Sequence, residues 1–205
     1  MRKIVVQVFI TLDGVMQAPG RPDEDPSNGF PYGGWTAGYF SAADEEAGDF
    51  MARHLAPSDL LLGRKTYAMF ADYWPKHAQM WPGILDVTKY VASTTMDEQQ
   101  VAGSGWRNSA LLTNIADVKA LKETDGTDLK VIGSSVLVQS LFAHDLVDEL
   151  VLMTYPVVLG TGKKLFTDGA TSAAFTLSEC VFTSNGVLLA HYQKSGEVRT
   201  GIVGE

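Results

Sequence analysis

The sequence predicts an α/β fold: a mixed, mostly parallel sheet with helices on both faces and a C-terminal antiparallel hairpin. Three observations carry this reading. Short apolar, β-branched runs alternate along the chain with segments of helical period, the pattern of βα units. Three of those runs lead into Gly63-Arg64-Lys65-Thr66, Ser93-Thr94-Thr95 and Gly133-Ser134-Ser135, clusters suited to strand ends. Near the end, Asn185-Gly186 separates two alternating runs, a tight hairpin signal.

Ile4 to Leu12 reads as the first strand, stopped by the turn pair Asp13-Gly14. Val15 to Tyr39 is rich in Pro, Gly, Asp and aromatics, and its length suits a lid or binding loop. Ser41 to Leu55 reads as a helix, with Ser41 as N-cap, acids in the early turns, and Phe50, Met51 and His54 on an inner face. Leu60, Leu61 and Leu62 form a strand buried on both faces, and Gly63 opens a helix from Lys65 to Phe70 that Tyr73-Trp74-Pro75 stops. Pro75 to Pro82 reads as surface loop. Lys89 to Ser93 and Ala110 to Leu112 are strands, and Asn114 caps a helix through Lys122 whose Ile115, Val118 and Leu121 share one face. Leu129 to Ile132 is another buried strand, followed by a helix from Val136 to Phe142 and a long apolar strand from Asp148 to Val158. The hairpin pairs Phe175–Phe182 with Val187–Gln193. Residues 1–194 are expected to form one domain, and the polar residues 195–205 a frayed tail.

Composition excludes several function classes. The 205 residues are 45% hydrophobic, enough for a full core in one domain. Against 24 acidic residues stand 16 Lys and Arg, a net charge of −8, so no nucleic-acid partner is expected and any anion site must be local. No apolar stretch approaches the roughly 20 residues of a membrane span. The opening Met1 to Val8 reads as strand rather than signal peptide, so the expected location is cytoplasmic, without a membrane partner. Cys180 is the single cysteine and is expected to pack in a strand. His54, His77, His144 and His191 are scattered without metal-site spacing, and no metal is implied. Ser134 and Ser135 lack the His and Asp order of a hydrolase.

The Gly63 junction suits an anion. Gly63 allows a close turn, and the free N–H groups of the following helix would join Arg64, Lys65 and Thr66 around a phosphate. The same residues also suit a plain turn with a solvated Arg-Lys pair. Three such strand ends in an otherwise acidic chain argue for a ligand with more than one phosphate, such as a dinucleotide.

These motifs, with Leu12-Asp13-Gly14, Val147-Asp148-Glu149-Leu150 and Pro156-Val-Val-Leu-Gly160-Thr-Gly162-Lys-Lys-Leu-Phe166, resemble the dihydrofolate reductase superfamily from Met1 to about Tyr192. The nearer branch includes the reductase domain of the bifunctional riboflavin-biosynthesis enzyme. The resemblance implies a dihydrofolate-reductase-like fold and an NADPH-dependent reductase acting on a small heterocycle of pterin or pyrimidine type, in a homodimer whose interface the Asp148–Val158 strand could serve. It would place Gly63, Arg64, Lys65 and Thr66 on the adenosine-side phosphates, Ser93 and Thr94 near the 2′-phosphate, and Gly133, Ser134, Ser135 and Val136 at the pyrophosphate. Classical dihydrofolate reductases carry a glycine pair where this chain has Gly133-Ser134. Two carboxylates are candidates for catalysis: Asp49, the match to the helix acid of pterin reductases, with Glu45 and Glu46 as alternatives, and Asp13, the candidate in the riboflavin-type branch. Trp35, Tyr39, Trp74 and Trp81 could line a heterocycle pocket or anchor loops, and Gly160 to Lys164 suits a substrate-facing or tight turn. A non-catalytic dinucleotide-binding module is the competing class.

Overall fold

A computed structural model of the chain describes residues 1–39, 44–168 and 170–204. Among them, β1 (Ile4–Thr11), β2 (Asp59–Gly63), β3 (Lys89–Ala92), β4 (Ser109–Leu112), β5 (Leu129–Ile132), β6 (Glu149–Tyr155), β7 (Ala174–Phe182) and β8 (Leu188–Gly196) form one sheet. The helices are α1 (Glu45–His54), α2 (Arg64–Tyr73), α3 (Glu98–Gly103), α4 (Ile115–Lys122) and α5 (Ser135–Ala143). Strand order is β4-β3-β2-β5-β1-β6-β8-β7, parallel from β4 to β6 and antiparallel at β6–β8 and β8–β7. This is the expected mixed sheet with its C-terminal hairpin, the dihydrofolate-reductase-like arrangement.

Side-chain alternation assigns the helices to faces. Ile4, Val6, Val8 and Ile10 of β1 pack with Leu61, Val131, Val118 of α4 and Val138 and Leu141 of α5. Val5, on the other face, packs with Val151 and with Phe50 of α1. Leu60 and Leu62 meet Tyr67 and Ala71 of α2 on that second side. All three leucines of β2 are fully buried. Burial of each is worth roughly 1.5–3 kcal/mol, which pins β2 and so the position of Gly63 at its end.

The fold departs from the sequence reading in several places. Helix α1 begins at Glu45; its flanking Asp44 accepts from Ser184 N at 2.9 Å instead of capping the helix, and Ser41 lies outside the described residues. Helix α3 was not expected, although Asp97 and Gln100 form a capping box whose signature is visible in the sequence. Residues 75–82 lie at the surface, with Pro75, Lys76, Gln79, Met80 and Pro82 exposed, but they are not irregular loop. They coil into tight helical turns, with Trp81 only 8% exposed and its Nε1 donating to Leu55 O at 2.7 Å, because indoles at 74 and 81 are large enough to extend the α2 core.

Strand β6 ends at Tyr155 and runs between β1 and β8, with Leu150, Val151, Met153 and Tyr155 buried inside the monomer. It is therefore not an available dimer surface. The edge on that side of the sheet is β7, where Leu177 and Phe182 are exposed. Cys180 does lie on a strand, β7, but is exposed, since an edge strand turns one face to water. Strand β8 continues to Gly196, past the Gln193 bound read from the sequence. No helix among the described residues is long and apolar enough to cross a membrane.

Candidate active site

An open cleft of about 1590 Å³ follows the carboxyl ends of β2, β3, β4 and β5, where parallel sheets present their strand-to-helix turns. Gly63, Arg64, Lys65, Thr66, Ser93, Thr94, Gly133, Ser134, Ser135 and Val136 all line it. Residues from three separate strand ends thus share one concavity.

The two glycine turns are tied to each other. Ser134 Oγ accepts from Gly63 N at 2.9 Å and donates to Thr66 Oγ1 at 2.8 Å. Gly63 has an ordinary φ of −76°, so its backbone alone does not require glycine; an added Cβ would stand 3.1 Å from Ser134 Oγ. Close packing of the turns explains that position. Gly133 and Ser134 both have φ of +66°. A serine therefore keeps the left-handed step that a glycine pair would take, at a cost of roughly 1–2 kcal/mol that its two hydrogen bonds offset. The result presents the N-terminus of α5 to the cleft, with unpaired N–H groups in its first turn.

Arg64 and Lys65 are exposed in the first turn of α2 and join no ion pair with another described residue. Cations at a helix N-terminus oppose the macrodipole, so this placement does not serve helix stability. It suits an anion in the cleft. Ser93 Oγ accepts from Thr95 N at 3.2 Å and Met96 N at 3.0 Å, which orders the turn and leaves Thr94 exposed on it. The donor set of cations, hydroxyls and helix N-termini fits a dinucleotide carrying an extra phosphate.

The carboxylates are placed otherwise than the sequence suggested. Asp49 is exposed on α1 and does not line the cleft, and neither do Glu45 and Glu46; α1 contributes Met51 and Ala52 instead, with Leu55 just after it. Asp13 also lies outside the lining. Its carboxylate accepts from Thr11 Oγ1 at 2.6 Å, Gly160 N at 2.9 Å and Leu159 N at 3.2 Å, clamping the end of β1 to the 159–160 loop. The Thr11 hydroxyl, with those amides, holds the Asp13 carboxyl below its ordinary value of 3.8. A lowered carboxylate value means that this stabilisation is complete at neutral pH and drains only as acid protonates the folded form. Asp13→Asn is expected to lower stability by about 1–2 kcal/mol, because an amide N–H would face backbone donors, while cofactor affinity holds. Urea unfolding with a parallel cofactor titration checks this.

Glu24 and Asp25 are the carboxylates that do line the cleft, on the long loop after β1. Glu24 accepts from Gly20 N at 2.7 Å and Arg21 N at 3.2 Å, yet burial pushes its carboxyl above the ordinary 4.5. Asp25 pairs with Lys163, whose Nζ also donates to Ser27 Oγ at 2.8 Å. That lysine, from the Gly160–Lys164 segment, faces the cleft and locks the loop in place. The loop is packed rather than loose: Val15, Met16, Gln17 and Ala18 are buried, and Trp35 Nε1 donates to Gln17 O at 2.8 Å.

Trp74 and Trp81 line the cleft, whereas Trp35 and Tyr39 set their rings edge-on against Tyr155 at 5.3 and 5.5 Å and act as anchors. The fold also gathers His54, His191 and Glu179, with candidate ligand atoms all within 4.8 Å, although sequence spacing kept the histidines apart. Sequence reasoning missed Gln7, Glu24 and the β4 end at Leu112 to Ile115 as cleft residues. The last carried a usable signal, a strand running into the Asn114 cap.

The family model of the RibD C-terminal domain matches residues 2–189. Two relatives from Bacillus subtilis (strain 168) are uncharacterized proteins: YyaP is 28% identical over 208 residues, covering 95% of this chain and 96% of that protein, and YwjB is 26% identical over 168 residues, covering 80% and 83%. A solved structure from Shewanella sp. PV-4, ascribed to riboflavin biosynthesis, superposes with a TM-score of 0.61 at 22% identity, covering 94% of this chain and 99% of that one. A pyrimidine reductase-like protein from Corynebacterium diphtheriae gives 0.59 at 13% identity, covering 96% and 93%. At such identities the two superpositions speak for the fold alone. With the family model spanning nearly the whole sequence, the chain belongs to the RibD C-terminal domain family, the reductase domain of riboflavin biosynthesis.

Proposed function

We propose that this protein is an NADPH-dependent reductase that transfers hydride to a small, flat, nitrogen-containing heterocycle of pyrimidine or pterin type. The observation that carries the reading is the convergence of Arg64, Lys65, the Ser93-Thr94 turn and the Gly133-Ser134 turn on one cleft beside a loop-borne acid. Family membership supports the reaction class. Arg64 and Thr94 would hold the 2′-phosphate that separates NADPH from NADH, and the first turn of α5 would hold the pyrophosphate through backbone N–H groups. The bound nicotinamide supplies the hydride; the protein supplies orientation, charge and the proton. Glu24, the lining carboxyl whose burial favours its protonated form, would deliver that proton to the nitrogen of the reduced bond.

The test is a fluorescence titration with NADPH and NADH. NADPH should bind more tightly, and Arg64→Ala should weaken it by about 1.5–3 kcal/mol, the scale of a charge-assisted hydrogen bond, with little effect on NADH. Equal affinities untouched by the substitution would remove the basis of the assignment. Binding without NADPH oxidation across a panel of pyrimidines and pterins would favour the non-catalytic module. The same proposal includes a homodimer, formed through the β7 edge where Leu177 and Phe182 are exposed. Light scattering coupled to size exclusion should give twice the chain mass, and Phe182→Glu should return a monomer; a monomeric parent would contradict it.

A further inference from the structure

Gln7 is a polar side chain in the middle of a β-branched strand, between Val6 and Val8. It is 2% exposed, and neither Nε2 nor Oε1 has a hydrogen-bond partner among the described residues. An amide sealed from water with both ends unpaired is destabilising, and leucine would fill the same space without that cost. Nothing in the packing of the sheet calls for glutamine here.

Its location does. Gln7 pairs in register with Ile132, the residue before the Gly133 turn, and with Val151 on the other side. It shares the strand face of Val5, the face covered by α1, and it lines the cleft that Met51 and Ala52 of α1 also line. Adjacent strands lie about 4.8 Å apart, so the amide sits one step from the proposed pyrophosphate turn, between β1 and α1. A glutamine has three rotatable bonds and can swing its amide toward a ligand entering that gap.

We propose that Gln7 is the edge-reading residue of the substrate subsite: its amide pairs with a cyclic N–H/C=O edge, as in a lactam or ureide ring. This deepens the reductase reading and rests on it. A side-chain amide offers one donor and one acceptor side by side, the complement of such an edge. A ring that lacks the N–H can still accept from Nε2 but leaves Oε1 as unsatisfied as it is in the free protein, so discrimination against it is built in.

The experiment titrates 5,6-diaminouracil and its 1,3-dimethyl analogue into the NADP⁺-saturated protein by calorimetry, for the parent, Gln7→Leu and Gln7→Glu. In the parent, the unmethylated ring should bind at least about tenfold more tightly than the dimethyl ring. Gln7→Leu should erase that preference, leave NADPH affinity unchanged and melt no lower than the parent without ligand. Gln7→Glu, which keeps the acceptor, should retain part of the preference when its carboxyl is protonated at low pH. A parent without preference, or with no affinity for either ring, overturns the inference; so does a preference that survives Gln7→Leu, or a Gln7→Leu loss confined to NADPH affinity. Should Gln7→Leu melt lower, the amide is structural and the inference also falls unless Gln7→Glu at low pH restores the preference. Failure of NADPH itself to bind the parent is a separate result, and it refutes the reductase reading.

Discussion

Gly133→Val is expected to weaken NADPH binding at least about a hundredfold while leaving the chain folded. The residue has φ of +66°, and a Cβ there would stand 3.7 Å from Thr66 Oγ1, so the site has room for one carbon. Space is not the obstacle; conformation is. A β-branched residue held at positive φ costs on the order of 1–3 kcal/mol, and relief comes by rotating the peptide that now lets the first N–H groups of α5 face the cleft. Stability of typical domains exceeds that cost, so folding survives while the anion cradle does not. Circular dichroism melting together with nicotinamide fluorescence separates the two effects. Normal binding by a folded variant would show that the pyrophosphate lies elsewhere.

Glu24→Gln is expected to slow the hydride step by roughly 10²–10⁴-fold at unchanged NADPH affinity, the range of general acid assistance. Glutamine keeps an acceptor oxygen for Gly20 N and Arg21 N, so the loop holds its shape. The pH profile carries the sign. The acid works when protonated, so the parent rate should fall as pH rises through the raised value of Glu24, and the variant should lose that inflection. Asp49→Asn, on an exposed helix face, should leave single-turnover rates alone. A large effect from Asp49→Asn and none from Glu24→Gln would return the role to α1.

The strand-end turns that line the cleft were legible because their signals are local. A buried leucine run ending in Gly63, a hydroxyl pair after β3 and a glycine turn before α5 each announce a strand end, and parallel topology gathers strand ends without further instruction. The wall formed by the loop after β1 was not legible. Glu24 sits in a loop without periodicity, and its place in the cleft depends on long-range ties such as Lys163 to Asp25 and Lys163 N to Gln17 Oε1 at 3.0 Å. In sequence, a strand-end acid beside glycine such as Asp13 suits a ligand and a turn equally well; the fold ties its carboxylate to Gly160 N and so to the turn. Gln7 gave no signal at all, since one polar residue in a strand reads as the outward face of an alternation, whereas β1 is central and covered on both sides. The Asp148–Val158 run is a similar case: an apolar run marks burial, not which surface buries it.

Hydrogen–deuterium exchange with and without NADPH needs no substrate and reports where the dinucleotide sits. Slowed exchange is expected at residues 63–68, 93–96 and 133–138, with weaker or absent protection at the second and first of these when NADH replaces NADPH. No protection, or protection confined to other parts of the chain, would contradict a dinucleotide site at the carboxyl ends of β2, β3 and β5.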